Sequence, residues 1–327
     1  MGEAIEFLRA RKMLVCSGRA HPVLAEEVAY QLGIELLPIK VYDFANGEIY
    51  LRFLDSVRGS DVFVIQPHVN PINKSIMENL IMLDALKRAS TKSITAVVPH
   101  FGYARQDKKH NSREPITARL MVDLLAAAGA TRMVTVDLHS DQIQGFFNGP
   151  VDHLEAGPLL YKWVRRNVKD LTKVTVVSPD AGRTKASEKF ATRIRGAKVA
   201  FIHKMRDVNQ PNKTVSDVVV GDVRGRVCIV NDDLIDTGGT ILSAINLLVE
   251  AGAKEIYVTA THGIFSKNAA DKLEKSAAKA IVVTNTVPIP KRQQFKKLEI
   301  LSIAPLIASA IDGIFHEEPL GALFQAS

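Results

Sequence analysis

Cysteine is nearly absent from this sequence: Cys16 and Cys228 are the only two in 327 residues. Two thiols so far apart, each inside an apolar run, give neither a disulfide framework nor a metal-ligand spacing, and they point to a reducing compartment, the cytoplasm. Long apolar runs are missing too. The longest, Ile300 to Ile311, has twelve residues and contains Pro305, too short and too interrupted to cross a bilayer. The stretch from Met1 to Glu6 has no secretory pattern and carries Glu6 where myristoylation requires Ser or Thr, so neither a leader nor an acyl anchor is expected. Tryptophan occurs once and aromatics make up 6% of the chain. Basic residues are dispersed among them, so no stacking platform for nucleic acid is evident. No Ser-His-Asp or Cys-His arrangement asks for a covalent nucleophile.

What is present is an ordinary globular composition, 46% hydrophobic and 24% charged, with a net charge of +7 that suits anionic small molecules. The length leaves room for two domains. Short apolar runs that read as strands (Met13 to Cys16, Ile39 to Tyr42, Val62 to Gln66, Ile94 to Val98, Val174 to Val177, Val199 to Ile202, Ile256 to Thr259, Ile281 to Thr284) alternate with segments of helical spacing such as Val23 to Leu32 and Ser75 to Arg88. That alternation predicts a doubly wound α/β fold. Asn46-Gly47 followed by alternating residues predicts a hairpin. The loop from His100 to Pro115 carries Arg105, Lys108, Lys109 and Arg113 with Phe101 and Tyr103; it suits a polyphosphate and a stacked base, or is simply a solvated basic loop. Asn209 to Lys213 reads as a mobile loop.

The chain is organised around Val230-Asn231-Asp232-Asp233-Leu234-Ile235-Asp236-Thr237-Gly238-Gly239-Thr240. A short buried strand, Val227 to Val230, leads in, and Ile241, Leu242, Ile245, Leu248 and Val249 follow at helical spacing. Two glycines between them let backbone approach a ligand, and the helix N-terminus aims N–H groups and its dipole at an anion. Thr237 and Thr240 add hydroxyl donors. Asp232 and Asp233, at the strand's end, suit sugar hydroxyls or Mg²⁺. One loop thus combines a phosphate cradle with a shelf for hydroxyls and metal, a ribose 5-phosphate site.

An internal repeat links the two halves. Ala128-Gly129-Ala130 precedes Met133 to His139, and Ala251-Gly252-Ala253 precedes Ile256 to His262, at a constant offset of 123 residues. The same offset lays Lys109 to Thr117 over Asp232 to Thr240, so the first copy has basic residues where the second has acids and glycines. We infer that the copies divide the labour: one holds ribose 5-phosphate, the other a polyanion such as a nucleotide.

The 230–240 string resembles the 5-phosphoribosyl diphosphate (PRPP) loop of the phosphoribosyltransferase-like superfamily, which by itself does not choose between enzymes that use PRPP and those that make it. Phe-Ala-Asn-Gly-Glu at 44–48, Phe-Gly-Tyr-Ala-Arg-Gln-Asp at 101–107, Arg-Glu-Pro-Ile-Thr at 113–117, Asp-Leu-His at 137–139, Gln-Ile-Gln-Gly-Phe-Phe at 142–147, Val-Asp-His-Leu at 151–154, Val-Ser-Pro-Asp at 177–180 and Val-Thr-Asn-Thr at 283–286 together resemble the ribose-phosphate diphosphokinase family over nearly the whole chain. The resemblance implies two duplicated phosphoribosyltransferase-like domains with mainly parallel sheets, residues 1–155 on the ATP side and 156–310 with the ribose 5-phosphate and catalytic loops, then a tail at 311–327. It implies transfer of the β,γ-diphosphoryl group of ATP to the C1 hydroxyl of ribose 5-phosphate, with Mg²⁺, in a homo-oligomer, a hexamer built from dimers. It assigns Phe44, Asn46, Gly47, Glu48, Arg105 and Gln106 to ATP, the first of these segments reaching in from a neighbouring subunit. It assigns His139 and Asp180 to the metal and Lys204 and Arg206 to a catalytic mobile loop. Asp232, Asp233, Asp236, Thr237, Gly238, Gly239 and Thr240, with Arg206, go to ribose 5-phosphate. The chain departs from the family where Ala181-Gly182-Arg183 replaces His-Gly-Gly and Met205 replaces an arginine. In the tail, Pro319 and Gly321 stand for two serines tied to regulation by phosphate and ADP, so an altered response to both is expected.

Overall fold

A computed structural model describes residues 11–206 and 214–321, without the side chains of 204–206 and 214–216. The segment Asn209 to Lys213 and the tail residues Ala322, Leu323 and Phe324 lie outside the described residues. The described residues form two units, one holding residues 11–154 and 304–321, the other those of Glu155–Ile303.

The first unit contains β1 (Met13–Ser17), α1 (Pro22–Leu32), β2 (Ile39–Asp43), β3 (Ile49–Phe53), β4 (Asp61–Ile65), α2 (Ile72–Arg88), β5 (Ser93–Val98), α3 (Thr117–Ala128), β6 (Arg132–Val136) and β7 (Val151–Leu154). Its main sheet is parallel, in the order β1-β4-β5-β6-β7. β4 is buried at every position, as a central parallel strand covered on both faces should be. Met82, Leu83 and Leu86 of α2 and Val122 and Leu125 of α3 close the core above it. β2 and β3 pair antiparallel as a separate ribbon, the hairpin expected from Asn46-Gly47. β7 completes the edge of the sheet beside β6.

The second unit contains α4 (Gly157–Asn167), β8 (Val174–Ser178), α5 (Thr184–Thr192), β9 (Lys198–Arg206), β10 (Thr214–Val220), β11 (Val227–Ile235), α6 (Gly239–Glu250), β12 (Glu255–Gly263), α7 (Ala269–Glu274), β13 (Ala280–Thr284) and β14 (Leu298–Leu301). Its strands run in the order β10-β9-β8-β11-β12-β13-β14, all parallel except the antiparallel edge β10. From β8 the chain steps to β9 on one side; from β11 it steps to β12 on the other. The order therefore reverses between β8 and β11, the place where open α/β sheets bind ligands beyond their carboxyl ends.

Two strands run further than the apolar pattern suggests. β11 continues past Val230 through Asp232 and Asp233 because β12 pairs with it as far as Ile235. β9 continues to Arg206 because β10 lies antiparallel beside it, with Arg206 opposite Thr214. Lys204 and Arg206 are thus strand residues by backbone, not loop residues.

The expected boundary at residue 310 falls inside α8 (Ala304–His316), which belongs to the first unit. α8 packs on α1, burying Ile307, Ala310 and Ile311. Arg11 ties it down, with Nε 3.0 Å from Asp61, Nη1 2.7 Å from Glu317 and its guanidinium 5.0 Å from the Phe315 ring centre.

The repeat is visible in backbone detail. After α3, Ala130 N–H donates to Leu125 C=O at 3.0 Å and Gly129 N–H to Ala126 C=O at 3.0 Å; after α6, Ala253 N–H donates to Leu248 C=O at 2.9 Å and Gly252 N–H to Val249 C=O at 3.0 Å.

Candidate active-site residues

At the carboxyl end of β11 the sheet opens. β8 pairs with β11 only as far as Val230, while β12 follows to Ile235. Asp232 and Asp233 lie on the stretch that has outrun β8, with side chains only 13% and 5% exposed. Asp233 N–H donates to Asp232 Oδ1 at 2.9 Å. Burial, and then the neighbouring Asp233 carboxylate, push the Asp232 pKa well above the usual carboxylate range. Arg183 opposes this, with Nε 3.6 Å from Asp232 Oδ1 and Nη1 3.3 Å from Asp233 Oδ2. In the sequence Arg183 is only a departure from a family string. The structure makes it the cation that faces the acid pair.

Asp236 and Thr237 lead to Gly238, which caps α6 with φ 74° and no side-chain hydrogen bond. A Cβ there would meet Leu273 and Ala269 at an ordinary 3.6 Å, so the left-handed backbone, not lack of space, calls for glycine. Gly239 is different. It has no positive φ, and the atom nearest to a Cβ would be Thr237 Oγ1 at 3.9 Å. The first helical bond runs from Leu242 N–H to Gly238 C=O at 2.9 Å. Gly238 has no side chain with which to cap the N–H groups of Gly239, Thr240 and Ile241 that begin the helix. Two acids and a glycine-capped helix N-terminus stand five residues apart on one strand-to-helix connection.

Asp180, directly after β8, accepts the Arg183 N–H on Oδ1 at 3.1 Å, capping the turn Ala181–Arg183. Asp180 and the guanidinium on the acid pair thus belong to one turn. Lys204 lies opposite Asp217 in the β9–β10 register; the side chains of Lys204 and Arg206 are outside what is described.

In the first unit, the β2–β3 hairpin carries Phe44, Asn46, Gly47 and Glu48 at its tip. Phe44 N–H donates to Glu48 C=O and Gly47 N–H to Phe44 C=O, both at 2.8 Å, and Asn46 Oδ1 accepts the Glu48 N–H at 3.2 Å. Phe44 stays 47% exposed although its edge meets the stacked pair Tyr42 and Tyr50. Arg105 and Gln106 are exposed on the loop after β5. Gln106 caps α3: its C=O accepts the Ala118 N–H at 3.1 Å and its Oε1 accepts from the Thr117 hydroxyl at 2.5 Å. In the first copy of the repeat the chain itself thus occupies the helix end, where the second copy has a glycine cap. Glu114 draws the basic loop together by accepting from the Asn111 amide and from the backbone N–H groups of Asn111 and His110 at 2.7–2.9 Å, which holds its pKa near 2.

His139 follows β6 in a turn whose Asp137 has φ 40°. Leu138 N–H donates to His153 Nε2 on β7 at 2.8 Å, so His153 fixes that turn, a role the sequence alone did not disclose. His262, the repeat partner of His139, is buried with Nδ1 2.8 Å from the Thr286 hydroxyl, a satisfied core histidine. His139 and Asp180 belong to different units. Among the described residues no group of three or more His, Cys, Asp or Glu side chains is placed to hold a metal ion.

Comparison with known proteins supplies the frame. Residues 13–129 match the model of the N-terminal domain of ribose phosphate pyrophosphokinase, and residues 207–325 that of the phosphoribosyl synthetase-associated domain. The chain is 54% identical over 315 residues to the ribose-phosphate pyrophosphokinase of Bifidobacterium longum, covering 96% of this chain and 93% of that protein. It is 55% identical over 314 residues to that of Streptomyces avermitilis, covering 96% of each. The crystal structure of phosphoribosylpyrophosphate synthetase from Mycobacterium smegmatis matches with a TM-score of 0.89 at 50% identity, over 94% of this chain and 100% of that one.

Proposed function

The chain belongs to the ribose-phosphate pyrophosphokinase family, and from that membership we propose how its residues are divided between two substrates, ATP and ribose 5-phosphate. It is an enzyme of this kind, a transferase that makes PRPP for nucleotide biosynthesis on a phosphoribosyltransferase-like α/β fold. The C1 hydroxyl of ribose 5-phosphate attacks the β-phosphorus of ATP. A bond forms between that oxygen and the β-phosphorus, the bond from the β-phosphorus to the α,β-bridging oxygen breaks, AMP leaves, and the hydroxyl proton passes to solvent.

The observation that carries the reading is the connection from β11 to α6. Asp232 and Asp233 accept hydrogen bonds from the ribose hydroxyls. The N–H groups at the start of α6, with Thr237 and Thr240, hold the 5-phosphate, and the open face of Gly239 lets it come close. Asp236 borders the sugar. In the first unit Arg105 and Gln106 hold the nucleotide, joined by Phe44, Asn46, Gly47 and Glu48 from a neighbouring subunit. The exposed aromatic tip of the hairpin supports that assignment. Lys204 and Arg206 stabilise charge on the transferring diphosphoryl group, since this chemistry depends on alignment and charge neutralisation rather than on a protein nucleophile. Magnesium accompanies ATP. Asp180 of the second unit would offer it a carboxylate and His139 of the first an imidazole, in keeping with an ion that takes few protein ligands besides phosphates and water; when bound, it would offset the charge of the polyphosphate. We assign the protein to the cytoplasm as a homohexamer built from dimers. Among the described residues no helix is long and apolar enough to cross a membrane.

The test is AMP formation from ATP with no nucleobase added. AMP that appears only when ribose 5-phosphate is present supports the reading; AMP release independent of ribose 5-phosphate, or none without a base, overturns it.

A further inference from the structure

Two buried histidines stand just beyond β4 and β5 and take no part in the assignments above. His68 is wholly buried and His100 is 9% exposed. His68 N–H donates to His100 C=O at 2.9 Å, and His100 Nδ1 lies 2.7 Å from His68 C=O. A carbonyl only accepts, so Nδ1 of His100 carries a proton. His68 has the opposite tautomer. Gly102 N–H, which only donates, points to His68 Nδ1 at 3.1 Å. That nitrogen is therefore bare and Nε2 carries the proton. Nε2 lies 3.3 Å from Nδ2 of the wholly buried Asn79 amide, and since two N–H donors cannot bond each other the amide is to be turned about so that it accepts from Nε2–H. Its oxygen, which has no other hydrogen-bond partner among the described residues, belongs on the side of the ring. Burial, and then the nearby His100, hold the His68 pKa down near 3, so the ring keeps this form across the neutral range.

This arrangement grips one piece of backbone. A Cβ on Gly102 would stand 2.8 Å from His68 Cβ and 3.1 Å from Ile72 Cδ1, so the loop lies against the histidine more closely than any other residue allows. The chain then turns at Tyr103, where φ is 63°. The Tyr103 hydroxyl donates to Asn73 Oδ1 at 2.6 Å and its C=O accepts the Gln106 N–H at 2.8 Å. Arg105 and Gln106 come next, so the position of Gly102 sets where both emerge.

We propose that His68 is a positioning residue for ATP, its bare Nδ1 clamping the Gly102 backbone so that the following turn presents Arg105 and Gln106. The inference rests on the assignment of those two residues to ATP. His68→Asn places an amide oxygen where Nδ1 stands, whereas His68→Gln reaches only to the place of Nε2. Hydrogen exchange over residues 101–106 should match wild type in His68→Asn and be at least about tenfold faster in His68→Gln, the scale of one buried donor deprived of its acceptor. The KM for ATP should rise about tenfold in His68→Gln and less than about threefold in His68→Asn, with the KM for ribose 5-phosphate unchanged in both. Gly102→Ala, which pushes the loop off the ring, should reproduce the His68→Gln pattern and serves if that variant does not fold. Arg105→Ala distinguishes the two ideas. If it leaves the KM for ATP unchanged, the nucleotide assignment falls while exchange still decides the clamp. If Asn and Gln at position 68 exchange alike, or if both substrates lose affinity together, the clamp itself is refuted.

Discussion

Gly239→Ala separates a glycine kept for folding from one kept for a ligand. Residue 239 opens α6 without a positive φ, and a new methyl group would have Thr237 Oγ1 at 3.9 Å as its nearest neighbour. Nothing in the ligand-free fold opposes it. Alanine is the better helix former and restricts the unfolded chain, so the variant should be as stable as wild type or more so, by up to about 1 kcal/mol. For a unit of this length that is a Tm rise of up to about 3 °C. Ribose 5-phosphate meets a different surface. In the proposed cradle the 5-phosphate comes up against the open face of Gly239, where a methyl group would stand in its way. The KM for ribose 5-phosphate should rise at least about tenfold, or about 1.4 kcal/mol, with the KM for ATP little changed. Gly238→Ala is the converse. Space exists at 3.6 Å, but φ is 74°, and a left-handed non-glycine residue costs about 1–2 kcal/mol. Its Tm should fall by roughly 2–8 °C. Thermal melts and initial rates on both variants are the assay. A Gly239→Ala enzyme whose KM for ribose 5-phosphate stays within about twofold of wild type refutes the cradle.

Asp232→Asn should raise stability at neutral pH while weakening ribose 5-phosphate. Because the folded-state pKa of Asp232 is raised above its ordinary 3.8, its contribution to stability is full below the unfolded value and lost as pH rises through the folded one. The variant's Tm advantage should therefore be present at pH 8 and close as pH falls below about 4; a variant less stable than wild type at pH 8 contradicts the electrostatics. Lys204→Ala should lower kcat about a thousandfold with little change in the KM for ATP or in Tm, on the scale of cationic groups in phosphoryl transfer. Retention of more than about a tenth of kcat would rule out the catalytic role.

Much of the candidate site was legible because its chemistry is local. Asp232 to Thr240 is one continuous string, and acids followed by glycines at a strand-to-helix junction have few physical uses. The strands were legible where they are buried on both faces, as in β4 and β8, since a parallel strand covered on both sides writes itself as an unbroken apolar run. The strand ends were not. Asp233 and Arg206 are polar, and only a neighbour's backbone holds them extended.

The sequence by itself determined the alternation of strand and helix, the duplication at 123 residues, and the acids, glycines and threonines of the connection from β11 to α6. All of these depend on residue type and on neighbours along the chain. Only the tertiary structure decided that β11 outruns β8 at Val230, that Arg183 faces Asp232 and Asp233, that α8 returns to the first unit, and that His68 holds Gly102. Each of these joins residues far apart in the chain. Sheet order and register select such partners, and no local propensity records them.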